Sequence, residues 1–254
     1  MLHTLPGLIR VTVVKRPSSK IKSPYVADVR LEDGSEALCH TPGLGCCGLV
    51  ATGRAIYVSK TSDGKKTQYT AQIAECTDSE GMYYVGIHPM VSQCVATKLL
   101  PKINADATWK SEVKINAHTR LDFVGTLPSG KKIYVEIKNA MISLCDMGRA
   151  QRRAVFPEGF RKSKNDTVSP RAVKHAETLG ELAGGLETDS AHLVFIVPRN
   201  DCSDGLELNK TDPTYCNAVS SAIKKGVNVW AFGLNFMPSG QVEFDKELVF
   251  HPPL

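Results

Sequence analysis

Residues 120–138 read RLDFVGTLPSGKKIYVEIK, and this stretch decides the fold of the second half of the chain. Two runs rich in apolar, β-branched and aromatic residues, 121–126 and 133–137, flank a Ser-Gly pair that favours a turn. The sequence therefore predicts two strands joined by a turn. Because side chains alternate between the faces of a strand, Glu136 and Lys138 are expected on one face.

The two predicted strands carry acidic residues that pairing would bring together. If the strands form a hairpin, Asp122 and Glu136 can meet across the sheet, with Lys138 beside them. Two carboxylates and water suit a hard cation such as Mg²⁺ or Mn²⁺. Such a cation binds a phosphate and activates water, while a lysine orients that water. We therefore predict Asp122 and Glu136 as metal ligands, and both with Lys138 as catalytic residues of a phosphodiesterase.

The same residues also fit an ordinary surface hairpin, in which a Glu–Lys pair contributes under ~1 kcal/mol. Several neighbours have two interpretations as well. Glu112 is either a third carboxylate of the site or a solvated residue at a strand end. Arg120 either pairs with a carboxylate or reaches a phosphate. His175 and His40 either take part in binding or serve in packing.

Positive charge is concentrated around the candidate site. Residues 102–175 contain fifteen Lys and Arg against seven Asp and Glu, whereas residues 176–254 contain five against eleven. This distribution favours a polyanionic partner such as a nucleic acid. A solvated basic face is the alternative. The candidate nucleic-acid-binding residues are Arg120, Arg161, Lys162, Lys164, Arg171, Lys174 and His175.

The first ~85 residues have the pattern of a small barrel or sandwich, since short alternating runs follow one another with turns between them. The predicted strands are Arg10–Lys15, Tyr25–Leu31, Ala37–His40, Ala55–Ser59, Thr67–Ala74 and Met82–Ile87. The pattern of predicted elements changes near residue 100. From there the order of predicted elements is three strands, helix, strand, helix, strand, which is typical of an α/β domain.

Helix signals in the second half are local and specific. Ser169 followed by Pro170 begins one predicted helix, residues 170–186, and Asp212 followed by Pro213 begins another that Gly226 ends. An earlier helix is predicted over residues 91–100 and ends at Pro101. The poorly periodic segment 148–170 is predicted to be a long loop. The further predicted strands are Val113–Ile115, Leu193–Val197 and Val227–Gly233.

Composition excludes some classes of protein. The chain has 254 residues, is 42% hydrophobic and contains no run of ~20 apolar residues, so no membrane partner is expected. Its eight cysteines have no metal-ligand spacing, and a chain of this size needs no disulfides. We expect free thiols in a reducing, cytoplasmic compartment, with nuclear and organellar locations left open. The sequence does not predict the oligomeric state.

The residues of the candidate site and several stretches after it resemble the sugar fermentation stimulation protein (SfsA) family. The matching stretches are Arg120–Phe123, Tyr134–Lys138, Phe156–Glu158, Arg171, Lys174–His175, Phe195–Arg199, Leu208–Asn209, Asp212–Tyr215 and Gly226–Val227. The resemblance implies an OB-type β-barrel over residues 1–99 and an α/β domain like the PD-(D/E)XK nucleases over residues 100–254. It also implies DNA binding and a link to sugar metabolism.

The N-terminal part departs from the family pattern. Residues 66–70 fit well, but two family arginines fall on Cys46 and Cys94, which removes two candidate phosphate contacts. Each lost contact is expected to flatten the salt dependence of binding by about one unit of slope. The segment 159–168 resembles an insertion, and its basic residues partly replace the lost charge.

Three functions remain open on the sequence. The first is a nucleic-acid-binding protein with a Mg²⁺- or Mn²⁺-dependent phosphodiesterase centre. The second is a non-enzymatic DNA-binding or regulatory protein of sugar metabolism that retains this centre as a relic. The third is a protein-interaction module whose basic loop meets an acidic partner. The complete Asp122, Glu136 and Lys138 set favours the first, because a relic has no chemical reason to keep all three.

Overall fold

The computed structural model describes residues 1–43, 45–117, 119–143, 147–157, 159 and 166–253. Its strands are β1 (His3–Thr4), β2 (Ile9–Lys15), β3 (Val26–Arg30), β4 (Glu36–His40), β5 (Ala55–Lys60), β6 (Tyr69–Asp78), β7 (Gly81–Gly86), β8 (Thr108–Lys114), β9 (Arg120–Thr126), β10 (Lys132–Asn139), β11 (Ile142–Ser143), β12 (Arg153–Phe156), β13 (Thr188–Val197), β14 (Gly205–Leu208), β15 (Val227–Phe236), β16 (Gln241–Glu247) and β17 (Phe250–His251). Its α-helices are α1 (Pro89–Ile103), α2 (Pro170–Ala183) and α3 (Pro213–Lys224).

The N-terminal sheet has the order β4-β3-β2-β5-β6-β7. Strand β4 also pairs in parallel with β6, which closes five of the six strands into a ring. Gly34 and Gly64 occupy the predicted turns with φ of +84° and +85°, a conformation that L side chains rarely adopt. All six predicted strands are present, and the ring agrees with a small barrel.

The largest sheet has the order β1-β16-β15-β13-β10-β9-β8. Strand β13 pairs in parallel with β10 and β15, and the other pairs are antiparallel. Successive residues of β13 belong to different cores: Val194 lies in the core that includes Val95 of α1, whereas Phe195 lies in the core that includes Leu179 of α2 and Val219 of α3. The sheet is therefore covered by helices on both faces, and the α/β expectation is confirmed.

Helix beginnings follow the predicted caps. Ser169 Oγ accepts from the backbone N–H of Ala172 at 3.1 Å, and Asp212 Oδ1 accepts from that of Tyr215 at 3.1 Å. The predicted end of the first helix is wrong, because α1 continues through Pro101 to residue 103. A proline near the end of a helix removes only one N–H donor, so one more turn is tolerated there.

The predicted long loop over residues 148–170 contains strand β12, which is a second correction. Strand β12 lies in a four-stranded sheet of order β11-β12-β14-β17. Its parallel partner β14 is about fifty residues away in sequence, so no local pattern shows the pairing. The strand itself has only four residues, too few to establish an alternation.

A buried ionic network joins the N-terminal ring to the rest of the chain. Asp78 at the end of β6 accepts from Arg149 Nη2 at 2.9 Å and from Arg152 Nη1 at 2.8 Å. Arg152 Nη1 also donates to Asp201 Oδ2 at 2.5 Å. Both guanidinium groups lie over the ring of Tyr83, at 5.3 and 5.6 Å from its centroid. The ring of strands is thus tied to the segment that precedes β12 and to the connection between β13 and β14.

The predicted boundary at residues 99/100 falls within α1, and it stays a prediction. Strand β1 belongs to the large sheet although it precedes the N-terminal ring in the chain. No helix in the described ranges is long and apolar enough to cross a membrane. The seven cysteines in those ranges form no disulfide.

Candidate metal centre

The candidate centre lies where two paired strands separate. Strands β9 and β10 pair up to Phe123 and Val135, and Asp122 and Glu136 are the next residues on each side. At this point a side chain takes the place of a backbone acceptor of the strand pair, because Asp122 Oδ2 accepts from the backbone N–H of Ile137 at 2.7 Å. The predicted hairpin is present, and both carboxylates stand at the point where it opens.

Glu136 is 2% exposed, and its two oxygens differ in their contacts. Its Oε1 accepts from Lys138 Nζ at 2.5 Å and is hydrogen-bonded with His175 Nδ1. Its Oε2 is buried and has no hydrogen-bond partner among the described residues. A buried carboxylate oxygen without a partner costs free energy, so Oε2 is the atom of this site best suited to bind a cation.

The two carboxylates have opposite electrostatic environments. Burial, followed by the negative charge of Glu136, raises the pKa of Asp122 to about 6. Burial would also raise the pKa of Glu136, but the hydrogen bond with His175 and the charge of Lys138 outweigh it and lower that pKa. The pair therefore lacks positive charge on the Asp122 side, where a cation would relieve the repulsion.

His175 was predicted as a nucleic-acid contact, but it lies inside the protein. Its side chain is on α2, the residue is 4% exposed, and it is hydrogen-bonded with Glu136. Its Nε2 lies 3.5 Å from Arg171 Nε, which donates to it. Burial of this kind does not suit a surface contact with nucleic acid. The histidine instead holds one oxygen of Glu136 in place through this hydrogen bond.

Gln93 on α1 is a neighbour that sequence reasoning missed. Its Nε2 donates to Glu112 Oε1 at 2.9 Å and lies 3.4 Å from Asp122 Oδ1. Gln93 precedes Asp122 by 29 residues and lies in a separate element, so no local pattern brings it to the centre. Glu112 has φ of +53°, and its side chain is about half exposed.

The remaining predicted residues surround the centre at different depths. Arg120 is exposed, and its Nη1 lies 3.6 Å from Glu112 Oε2. Arg171 and Lys174 are exposed on α2. Arg161, Lys162 and Lys164 lie outside the described residues. The described residues contain no group of three or more His, Cys, Asp or Glu that could hold a metal ion, so a cation would depend on two carboxylates with water or substrate.

Fold and site together define an α/β protein with a helix-covered mixed sheet, a Glu–Lys pair beside a second carboxylate at a split strand pair, and a small N-terminal ring of strands. The chain belongs to the SfsA family, because the family model for the sugar fermentation stimulation protein RE domain matches residues 87–240.

Relatives match over most of their own length. The sugar fermentation stimulation protein homolog of Caulobacter vibrioides is 31% identical and covers 82% of both chains. The homolog of Synechococcus elongatus is 29% identical over 94% of both. A solved structure of Pyrococcus furiosus SfsA, in complex with Ca²⁺, covers 98% of both chains with a TM-score of 0.77 and 22% identity. The SfsA fold therefore extends over nearly the whole chain.

Proposed function

We propose that this protein binds nucleic acid and hydrolyses its phosphodiester bonds with a divalent cation held by Asp122 and Glu136. The observation that carries the proposal is the meeting of these carboxylates with Lys138 at the split between β9 and β10. In the same proposal, residues 100–254 form a PD-(D/E)XK nuclease-like domain, and residues 1–99 an OB-type barrel.

The donor set supports a divalent cation. Glu136 Oε2 is a buried oxygen with no partner among the described residues, and the pKa of Asp122 is raised by burial and by the charge of Glu136. Both features describe carboxylates that lack a cation. The related Pyrococcus furiosus structure contains Ca²⁺, and we extend divalent binding to this chain by that relationship. Mg²⁺ or Mn²⁺ suits the carboxylate ligands.

Each residue has a defined part in the proposed reaction. A cation held by Asp122 and Glu136 supplies water activation and charge neutralisation at the phosphate. Lys138 orients the attacking water and stabilises the developing negative charge, since its ammonium group lies at the same opening and is largely buried. His175 fixes Glu136 Oε1 through a hydrogen bond, which leaves Oε2 as the ligand atom.

The charge distribution supports a nucleic-acid substrate, with one qualification. Fifteen basic residues lie between residues 102 and 175 against seven acidic ones. Among the described residues, five of them form ion pairs within the protein: Arg120, Lys138, Arg149, Arg152 and Arg153. The exposed cations Arg120, Arg171 and Lys174, together with the basic segment near residue 162, are the proposed contacts to phosphate.

Incubation of the purified protein with single- and double-stranded DNA and RNA tests the proposal. We expect cleavage of at least one of these substrates with Mg²⁺ or Mn²⁺, and none with EDTA. Cleavage that is indifferent to EDTA would contradict the proposed chemistry. A protein that binds nucleic acid but cleaves no substrate with either metal would favour the second candidate below.

The second candidate is a non-enzymatic DNA-binding or regulatory protein of sugar metabolism. One observation favours it: Lys138 Nζ lies 2.5 Å from Glu136 Oε1 and neutralises that carboxylate without a metal. The name of the curated relatives, sugar fermentation stimulation protein homolog, agrees with such a role. In that case nucleic-acid affinity should be the same with EDTA as with Mg²⁺.

A further inference from the structure

Three acidic residues on adjacent strands form one row across the large sheet at the candidate centre. The register of β8 and β9 sets Glu112 opposite Asp122. The register of β9 and β10, continued by one residue on each strand, sets Glu136 opposite Asp122 on its other side. Like charges directly opposite each other destabilise a sheet, so the row needs partners that offset them. Lys138 offsets the charge of Glu136, at the end of the row.

The side chain of Gln93 joins the other two carboxylates. Its Nε2 donates to Glu112 Oε1 at 2.9 Å and lies 3.4 Å from Asp122 Oδ1. An ionised carboxylate only accepts hydrogen bonds, so the amide has to turn its nitrogen, and not its oxygen, towards this pair. That nitrogen carries two hydrogens, one for each acid. Gln93 therefore supplies two donors between two like charges.

The contact with Asp122 concerns the oxygen that a cation would use. Asp122 Oδ2 accepts from the backbone N–H of Ile137 at 2.7 Å, which leaves Oδ1 as the oxygen available to a metal. A carboxylate oxygen has two lone pairs, so Oδ1 can accept from Gln93 and still bind a cation. The amide thus lies where it can fix the direction of a ligand oxygen without taking its place.

The start of α1 holds Gln93 at this position. The preceding residue, Ser92, is 2% exposed, and its Oγ donates to Asn139 Oδ1 of β10 at 2.7 Å. Before the helix, Gly86 at the end of β7 lies so close to the ring of Phe236 that a Cβ there would come within 2.3 Å of it. The first turns of α1 are therefore anchored to the large sheet on both sides of the helix start.

We propose that Gln93 is a positioning residue of the centre, whose amide holds Asp122 Oδ1 and Glu112 in the arrangement that a divalent cation needs. His175 holds Glu136 in the same way, so each proposed ligand has its own support. The consequence for cation binding rests on the proposed function, whereas the hydrogen-bonded contact itself does not. Supports of this kind typically change metal affinity 10- to 100-fold when removed.

The first experiment compares Mn²⁺ affinity, by calorimetric titration, in wild type, Gln93→Leu, Gln93→Glu and Gln241→Leu. Gln241 is the matched control, because the same change is made at an exposed position of β16. We expect Gln93→Leu to weaken Mn²⁺ binding roughly 10- to 100-fold and Gln241→Leu to leave it unchanged. Gln93→Glu should bind Mn²⁺ at least as tightly as wild type, since it adds a carboxylate oxygen beside the cation.

Two results of this titration would overturn the positioning role. One is equal Mn²⁺ affinity in Gln93→Leu and wild type. The other is an equal loss of affinity in Gln93→Leu and Gln93→Glu, because it would show that any change at this position acts by disturbing the packing of α1.

The second experiment needs no metal and separates the two proposals. Thermal unfolding is measured in EDTA for wild type, Gln93→Leu, Glu112→Gln and the double variant. We expect Gln93→Leu to lower Tm by about 2–4 °C in wild type, because the two acids then face each other without the amide. The fall should be clearly smaller in Glu112→Gln, where one of the two charges is absent.

An equal fall in Tm in both backgrounds would show that the amide does not act through the two carboxylates, and it would overturn the proposal. If wild type binds no Mn²⁺, the proposed metal centre fails, and the role of Gln93 in cation binding fails with it. The unfolding comparison then still decides whether Gln93 holds the two acids together.

Discussion

At the scale of single residues, the raised pKa of Asp122 makes the stability of the folded protein depend on pH. Burial and the charge of Glu136 raise its pKa from 3.8 to about 6. Between these values the folded protein binds more protons than the unfolded chain, so this group's contribution to stability falls as pH rises through that range. The loss is on the order of 2–3 kcal/mol, as expected for a shift of about two pKa units.

Asp122→Asn should therefore gain stability relative to wild type as pH rises. The amide oxygen can still accept from the N–H of Ile137, but it carries no charge beside Glu136. Thermal unfolding in EDTA at pH 4 and pH 7.5 checks this. We expect the variant to exceed wild type in Tm at the higher pH and to approach it at the lower. A Tm difference that does not change with pH would show that the charge of Asp122 is not repelled.

Lys138 provides a second prediction at this scale. Its ammonium neutralises Glu136 but is not a metal ligand, so Lys138→Ala should not weaken Mn²⁺ binding. Loss of a group that orients water and stabilises charge should reduce cleavage roughly 10²–10⁴-fold. Parallel titration with Mn²⁺ and single-turnover cleavage separate the two effects. An equal loss of affinity and of rate would place Lys138 in metal binding instead.

At the scale of elements, the basic segment 159–168 and the start of α2 are expected to contact phosphates. Replacement of Arg161, Lys162 and Lys164 by Glu should weaken binding to all nucleic-acid sequences alike. It should also reduce the slope of affinity against salt concentration by about one unit for each lost contact. Reversal of Lys224 and Lys225, at the C-terminal end of α3, is the matched control. Equal effects of both replacements would indicate a general response to net charge.

Elements with local signals were predictable from the sequence. Strands β9 and β10 have apolar residues on both sides of a turn, and Ser169 and Asp212 cap helices as predicted. Strands such as β12 and β14 were not, because they are short and their pairing depends on distant partners. The environment of the site was only partly predictable for the same reason: Gln93 was missed, and His175 was named as a nucleic-acid contact although it lies buried against Glu136.

At the scale of the whole molecule, the buried ionic network decides how firmly the N-terminal ring is attached. Arg152 is 3% exposed and bridges Asp78 of the ring to Asp201. Arg152→Ala removes one charged hydrogen-bond donor from both Asp78 and Asp201, which keep Arg149 and Arg199 as partners, so it should cost on the order of 2–3 kcal/mol. Arg153→Ala is the control, since Arg153 is adjacent in the chain but its side chain is 35% exposed.

Urea unfolding of both variants tests the network. We expect the free energy of unfolding to fall clearly more in Arg152→Ala than in Arg153→Ala. The fall in Arg153→Ala should be under ~1 kcal/mol, because exposed ion pairs contribute little. Similar losses in the two variants would mean that the bridge from Asp78 through Arg152 to Asp201 does not contribute specifically. A separate early transition in Arg152→Ala would show that the ring unfolds independently once the bridge is lost.

Cleavage by Asp122→Asn tests the central claim most directly. The experiment compares cleavage and nucleic-acid binding, with Mg²⁺ or Mn²⁺, in wild type, Asp122→Asn and Asp106→Asn. Asp106 serves as the control because it is an exposed acid outside the site. We predict that Asp122→Asn loses cleavage while it retains or tightens metal-free binding, because a buried carboxylate repels phosphate and an amide does not. Asp106→Asn should behave as wild type. Cleavage that persists unchanged in Asp122→Asn would contradict the proposed metal centre.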